Sequence, residues 1–371
     1  MNSKTPPPME LDVFTTAVVP ADSEGIHRAV STLLRGDLVA IPTETVYGLA
    51  ADAFNASAVA KIFAAKERPT FDPLIVHVST SLMSIDALCE AEIIDGTELN
   101  PKAKVLCERL TAEFWPGPLT LILPRHRRIP DLVTSGLPHV GVRMPAHRAA
   151  KKILLESKRP LAAPSANRFG RISPTTAAHV MAELEGRIPL IVDGGAAAVG
   201  VESTIIQVRD HAIDVLRPGG VSIEDLRRVA GPDVKVERTS GVLDTSVLAP
   251  GCLASHYAPT KPLVLWKKTL NSITEAMQQF TDGSQKIGVL FLRGDAAARL
   301  SELPDSLRTF VSAVSLSQTG NSVEVARNLF SALRTFDEGE VPAIFAELPT
   351  ETTGLWFAIA DRLIRAGLRK I

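Results

Sequence analysis

Ala56-Ser57-Ala58-Val59-Ala60-Lys61-Ile62-Phe63-Ala64-Ala65-Lys66-Glu67-Arg68-Pro69-Thr70-Phe71-Asp72-Pro73-Leu74-Ile75-Val76-His77-Val78 reads as a helix running into a strand. Apolar residues repeat at three- and four-residue spacing over 56–65, whereas 74–78 is a short apolar run of strand length. Lys66 and Arg68 stand between the two patterns. A lysine is a mobile point charge for phosphate oxygens and an arginine grips them bidentately, so the pair suits a polyphosphate or another crowded anion. The commoner use of such a pair is to satisfy the last carbonyls and the negative end of a helix dipole. Their neighbours decide between the two.

Outward from this stretch the same alternation recurs. Strand candidates fall at 38–42, 74–78, 119–123, 140–144, 161–163, 190–192, 204–208 and 213–216, with helical spacing at 56–65, 101–113, 149–157 and 174–184. The alternation predicts an α/β domain. Ser173-Pro174 sets a capping hydroxyl before a proline and predicts a helix start there, as does Ser222-Ile223-Glu224-Asp225. Periodicity fades between Gly231 and Gly251, ending in Ala249-Pro250-Gly251, which reads as a linker. It restarts with strands at 261–266, 287–292, 309–314 and 344–348 and helices near 272–280, 323–336 and 355–366, a second and smaller α/β domain. The expected divisions are a flexible tail over 1–20, a first domain over 21–230, a linker over 231–260 and a second domain over 261–371.

Of the 371 residues, 45% are hydrophobic and 22% charged, which describes a folded globular chain and excludes a mainly disordered one. A formal net charge of −1 offers no broad cationic field for nucleic acid. Three scattered cysteines, Cys89, Cys107 and Cys252, form no Cys-x-x-Cys pair and fit a reducing cytoplasm. No apolar run reaches the roughly 18 residues of a spanning helix, so no membrane role is expected.

Polar residues gather at several strand ends. Pro42-Thr43-Glu44-Thr45-Val46-Tyr47-Gly48-Leu49 follows a strand and carries hydroxyls, a carboxylate and a phenol; it reads either as a ligand loop or as a capped turn with Tyr47 packed inward. Trp115-Pro116-Gly117-Pro118 shapes a turn, with Trp115 filling core or offering a stacking platform. Arg143, closing an apolar strand, needs an anion, either a substrate carboxylate or a structural acid. His77 reads as a satisfied core histidine or a ligand contact. Ala163-Pro164-Ser165-Ala166-Asn167, Gly200-Val201-Glu202-Ser203-Thr204 and Arg217-Pro218-Gly219-Gly220 each read as a turn or as a donor-rich loop. The chain has no His-x-x-x-His pair, no Gly-x-x-x-x-Gly-Lys-Ser/Thr loop and no Gly-x-Gly-x-x-Gly turn, so zinc, a Walker site and NAD are not expected.

In this order Pro42–Leu49, Lys66-Glu67-Arg68-Pro69, Pro116-Gly117-Pro118-Leu119-Thr120, Val142-Arg143-Met144-Pro145, Ala163–Asn167 and Gly200–Thr204 strongly resemble the YrdC/Sua5 family across most of 20–230. With Ala249-Pro250-Gly251, His256-Tyr257-Ala258-Pro259 and the second domain, the chain is similar to the long, Sua5-type members. The resemblance implies a YrdC-like twisted open sheet with flanking helices, plus a smaller Rossmann-like α/β C-terminal domain. It implies an enzyme, a nucleotidyltransferase, that joins L-threonine, bicarbonate and ATP into threonylcarbamoyl-AMP and diphosphate for N6-threonylcarbamoylation of tRNA. tRNA itself would be met only indirectly, through a separate transferase.

By the same resemblance Lys66 and Arg68 would hold the ATP phosphates with Mg2+, and Ala163, Ser165, Asn167, Ser173 and Arg217 would line the nucleotide side. Thr43, His77, Arg143 and Ser203 would form the threonine pocket, and Tyr257 would fold over the nucleotide as part of a linker lid. The chain departs from the family pattern at Cys252-Leu253-Ala254-Ser255, at Asp72, at Phe169 and at Ala360-Asp361. Two other functions compete: an RNA-binding or regulatory module on the same fold, and a carbamoyl-adenylate-forming enzyme. The latter's relatives carry Cys-rich zinc segments that this chain lacks.

Overall fold

The structure is a computed structural model that describes residues 14–239, 242–243, 246–247, 249–251, 257–267, 274–280, 285–367 and 369–370. The larger sheet is built from β1 (Ala17–Pro20), β2 (Val39–Ile41), β3 (Gly48–Asp52), β4 (Ile75–His77), β5 (Leu119–Pro124), β6 (His139–Arg143), β7 (Leu161–Ala162), β8 (Leu190–Asp193), β9 (Thr204–Val208), β10 (Ala212–Arg217) and β11 (Lys235–Arg238). Their spatial order is β1-β8-β2-β3-β7-β4-β6-β5-β9-β10-β11. A small antiparallel pair follows, β12 (Val242–Leu243) with β13 (Ser246–Val247). The second sheet holds β14 (Leu263–Trp266), β15 (Ile287–Phe291), β16 (Val311–Ser315), β17 (Ile344–Glu347) and β18 (Arg369–Lys370), all parallel, in the order β16-β15-β17-β14-β18. This is the expected parallel α/β unit, with its fourth strand inserted between its first and second.

Strand direction in the larger sheet is mixed, and that decides where a site can form. β4 and β6 run parallel, β5 runs against β6, β9 runs with β5, and β10 runs against β9. Carboxyl ends therefore do not all collect at one edge, but those of β4, β6 and β10 do, closed by His77, Arg143 and Arg217 as the strand-end reading expects. Paired residues share a face. The register lines up Val76, Val142, Leu121, Ile206 and Val215 in one row, all buried in the core beneath the helices. Each fully buried Val, Leu or Ile contributes about 1.5–3 kcal/mol relative to exposure. The neighbouring row, His77, Arg143, Thr120, Ile205 and Arg217, points to the opposite face.

Local chemistry explains the flanking helices. Asn100 caps Pro101–Phe114 by accepting from the Lys102 N–H at 2.9 Å, with proline in the first turn, and Ser222 caps Ile223–Ala230 as expected. The start expected at Ser173-Pro174 is displaced: the helix is Ala177–Leu184, capped by Thr176, which accepts from the His179 N–H. Ser173 is not a cap, because its hydroxyl donates to Glu202. Three strands of the larger sheet lie where none was expected. β1 falls inside the supposed tail and pairs with β8; β3 returns from the Thr43 loop; and β11 extends the sheet within the supposed linker. Residues 1–13 of the tail and 252–256 of the linker lie outside the described residues.

The second sheet buries a core on each face. One cluster, containing Trp266, Val289 and Phe291, closes within the unit. The other joins Leu290, Leu329, Phe330 and Leu333 to Val46, Ile172, Val201 and Tyr257, so the two sheets share apolar core.

Candidate active site

The row of polar residues on the open face of the larger sheet is walled by loops into a cavity with roughly 500 Å³ of empty space, including its mouth. The first wall is the loop between β2 and β3. Thr43 donates its hydroxyl to the Val46 carbonyl at 2.6 Å and accepts from the Thr45 and Val46 N–H groups. Thr45 Oγ1 lies 2.8 Å from Thr43 Oγ1. Tyr47 points away into the core, where its hydroxyl donates to the Gly195 carbonyl at 2.7 Å and accepts from the Gly194 N–H. Both readings of this loop hold together: it is a capped turn, and it faces the cavity.

Arg143 has found an acid of its own. Its Nη2 pairs with Glu44 Oε1 at 2.5 Å, Nη1 donates to Thr45 Oγ1 at 2.8 Å and Nε to the Gly117 carbonyl at 3.2 Å. A guanidinium has five N–H groups, so two remain for a further anion. Burial pushes the Glu44 carboxyl up, but Arg143 and the Ala146 N–H outweigh it and hold it below the usual carboxylate range. His77, beside Arg143 in the sheet, is pushed down to about 3, first by burial and then by the Arg143 charge. The ring is neutral. Its Nδ1 lies 3.3 Å from the Ile75 carbonyl, which can only accept, so Nε2 is left as the acceptor.

The opening cation pair separates into two jobs. The helix Ala56–Lys66 ends at Glu67, in the left-handed region, and Lys66 is buried with its ammonium on the carbonyls of Ser165, at 2.5 Å, and Asn167. Burial, helped by Arg68, lowers its pKa well below the ordinary lysine value. Lys66 thus ties the 163–167 loop to the helix end and does not face the cavity. Arg68 does: it pairs with Asp72 at 2.8 Å and donates to the Asp72 and Pro73 carbonyls through Nε and Nη2, leaving Nη1 without a partner among the described residues. Burial raises the Asp72 pKa against the pull of Arg68.

The far wall comes from β9, β10 and the segment after β13. Arg217 donates to the Ser203 carbonyl at 3.1 and 3.0 Å, to Ser203 Oγ at 3.0 Å and to the Pro250 carbonyl at 2.9 Å. Among the described residues it has no carboxylate partner, so its charge is the least neutralised in the cavity. Ser203 Oγ also meets Thr120 Oγ1 at 2.8 Å. Tyr257, with φ of 65°, is buried against Phe330 at 5.7 Å between centroids. Burial pushes its phenol up to about 12.

The structure brings Thr43, Arg68, His77, Arg143, Ala163, Ser165, Ser203, Arg217 and Tyr257 to one cavity. Lys66, Asn167 and Ser173 stand behind its walls: Asn167 braces the loop through the Arg168 and Arg171 carbonyls, and Ser173 donates to Glu202 at 2.5 Å. Sequence reading assigned no role to Glu44, Thr45, Thr120 and Glu202. The acids could have been sought as partners of arginines that close apolar strands. Thr120 offers no signal, since a threonine in a strand is ordinary. Trp115 fills core, donating its indole N–H to the Leu119 carbonyl at 2.8 Å.

A buried cavity with three arginines, a neutral histidine and a fringe of hydroxyls, on the face of a mixed sheet, defines an α/β protein that binds small anionic and polar ligands. The comparisons narrow this. Residues 31–219 match the Sua5/YciO/YrdC family, described as "Telomere recombination", and 221–367 match "Threonylcarbamoyl-AMP synthase, C-terminal domain". Proteins named threonylcarbamoyl-AMP synthase are 38% identical in Pyrococcus abyssi, over 92% of this chain and 93% of that one, and 39% identical in Bacillus subtilis, over 92% of each. A crystal structure of P. abyssi Sua5 complexed with L-threonine superposes with a TM-score of 0.78 at 36% identity, covering 97% of this chain and 99% of that one. The chain belongs to the Sua5/YrdC family, in its two-domain form.

Proposed function

We propose that the chain is an L-threonylcarbamoyl-AMP synthase, converting L-threonine, bicarbonate and ATP to threonylcarbamoyl-AMP, diphosphate and water. The observation supporting this most is the row His77, Arg143, Thr120, Ile205 and Arg217, which sets His77 and Arg143 beside the Arg217 cation within one cavity. The solved relative was crystallised with L-threonine, and the same ligand is assigned here to the end formed by Thr43, His77, Arg143 and Ser203. The two spare N–H groups of Arg143 would take the threonine carboxylate, and His77 Nε2 would accept from its hydroxyl or amine.

In the reaction the threonine nitrogen bonds the bicarbonate carbon and water is lost. A carbamate oxygen then attacks the α-phosphorus of ATP, and the bond to the β-phosphate breaks. The groups that do this chemistry belong to the substrates, so the protein contributes position and charge. Arg68 and Arg217 are placed to meet phosphate oxygens; Ala163, Ser165 and Tyr257 would face the nucleoside. Lys66 acts through the loop it anchors, with Asn167 and Ser173 also behind the wall. Mg2+ would enter with ATP as its counter-ion, since no cluster of three or more His, Cys, Asp or Glu suited to a metal occurs among the described residues. Among these residues no helix is long and apolar enough to cross a membrane. tRNA is assigned to a separate transferase that consumes the adenylate.

The test is to incubate the protein with ATP, Mg2+, bicarbonate and each amino acid in turn. Diphosphate and an adenylate are expected with threonine; product that does not depend on threonine overturns the assignment.

A further inference from the structure

Arg362 belongs to the second unit, on the helix Leu355–Ala366, yet it is fully buried against the first. Its Nε donates to Glu202 Oε2 at 2.7 Å and its Nη1 to the Pro218 carbonyl at 2.9 Å. Those two partners are the immediate neighbours of Ser203 and Arg217. One side chain therefore straps the loop of Ser203 to the loop of Arg217, and so fixes where the anion-binding end lies against the rest of the cavity. It also lies 5.1 Å from the Tyr257 ring centroid, in cation–π range, while Phe330 of the same unit stacks on that ring. The loops fit too closely to drift apart without loss: a Cβ on Gly219 would come within 2.3 Å of the Glu202 carbonyl.

Charge gives the arrangement a second purpose. Glu202 lines the cavity, and a bare carboxylate there would repel a polyphosphate. Arg362 neutralises it from behind, while Ser173 occupies its other oxygen. Asp361, where the family pattern has asparagine, is paired in turn with Arg238 at 2.6 Å, Arg365 at 3.0 Å and Arg362 at 3.1 Å. The strap is thus held at both ends.

Resting on the synthase reading, we propose that Arg362 is a positioning residue for the ATP side of the cavity, so that the second unit completes the site. The test is equilibrium binding of Mg-ATP to the full chain, beside steady-state KM values for ATP and threonine. Arg362→Met leaves Glu202 unpaired; it is expected to weaken Mg-ATP binding at least tenfold, with the threonine KM moving less than about threefold. Adding Glu202→Gln removes the bare charge and should recover most of that loss. Arg362→Lys keeps the charge but reaches only one of the two loops. It should lose about threefold, and it carries the test if the methionine variant does not fold.

Mg-ATP binding unchanged in Arg362→Met or Arg362→Lys, equal losses for ATP and threonine, or a double variant no better than the single one would each overturn the proposal. If the wild-type protein binds Mg-ATP but makes no threonine-dependent adenylate, the synthase reading fails while the binding series still decides the role of Arg362.

Discussion

His77 links the chemistry of the cavity to the stability of the protein. Its folded pKa of about 3 lies below the ordinary 6.5, so between those values the unfolded chain binds a proton that the folded one refuses. Stability from this group is present above pH 6.5 and lost as pH falls toward 3. Glu44, held below its ordinary 4.5, adds a loss in the same direction at lower pH. His77→Gln should therefore flatten the fall in urea midpoint between pH 6.5 and 4.5, and a slope equal to that of the wild type would reject the assignment. Arg143→Lys keeps the charge but loses the fork, and is expected to lower kcat/KM for threonine about a hundredfold, some 2.7 kcal/mol. Equal kinetics would place threonine elsewhere. Arg143 and Arg217 were legible because a charge that closes an apolar strand is anomalous and asks for a partner, and His77 because a polar ring interrupts an apolar run. Glu44 was not, since its arginine is 99 residues away, and Arg362 looked like any polar position of an amphipathic helix. The use of Lys66 on two carbonyls depends on a loop a hundred residues on, which no local pattern conveys.

At the scale of elements, helix caps and close approaches carry the specificity. Ser173 and Thr176 are both hydroxyl residues before the same helix, and Pro174 made the wrong one attractive; which hydroxyl caps is decided by Glu202, 29 residues away. Thr176→Ala should thus cost about 1 kcal/mol of stability. Ser173→Ala should leave that helix intact and weaken ATP binding instead, and the reverse pattern would restore the sequence reading. Gly200 packs directly against the second unit: φ is 78°, and a Cβ would lie 2.3 Å from Arg327 Cα and 2.5 Å from the Ala326 carbonyl, both on the helix Ser322–Glu338. Backbone cannot yield as a side-chain tip can. Gly200→Ala is expected to cost 2 kcal/mol or more, about the sum of left-handed strain and overpacking, read as a lower urea midpoint. Most strands were legible from their apolar runs, whereas β3 was hidden because Gly48-Leu49-Ala50-Ala51-Asp52 lacks β-branched residues.

Across the whole molecule, the two units behave as parts of one body only if their shared core resists opening. Val46, Ile172 and Val201 bury against Leu329, Phe330 and Leu333, and the seam carries Arg334 paired with Glu183 at 3.1 Å, both buried, with a further bond from Arg334 to the Ile172 carbonyl. Arg168 and Arg171 also approach Glu183, at 3.6 and 3.8 Å, so removing Arg334 leaves the carboxylate partly paired and costs less than the roughly 3–5 kcal/mol of a stranded buried charge. That penalty falls on the seam and leaves each unit's private core intact. The wild-type chain should then unfold in a single transition, seen alike by far-ultraviolet circular dichroism and by tryptophan fluorescence, for which Trp115 reports on the first unit and Trp266 and Trp356 on the second. Arg334→Ala should separate the two signals, because the seam opens before either core melts. Coincident curves in the variant, merely shifted to lower urea, would mean that coupling between the units does not run through this pair.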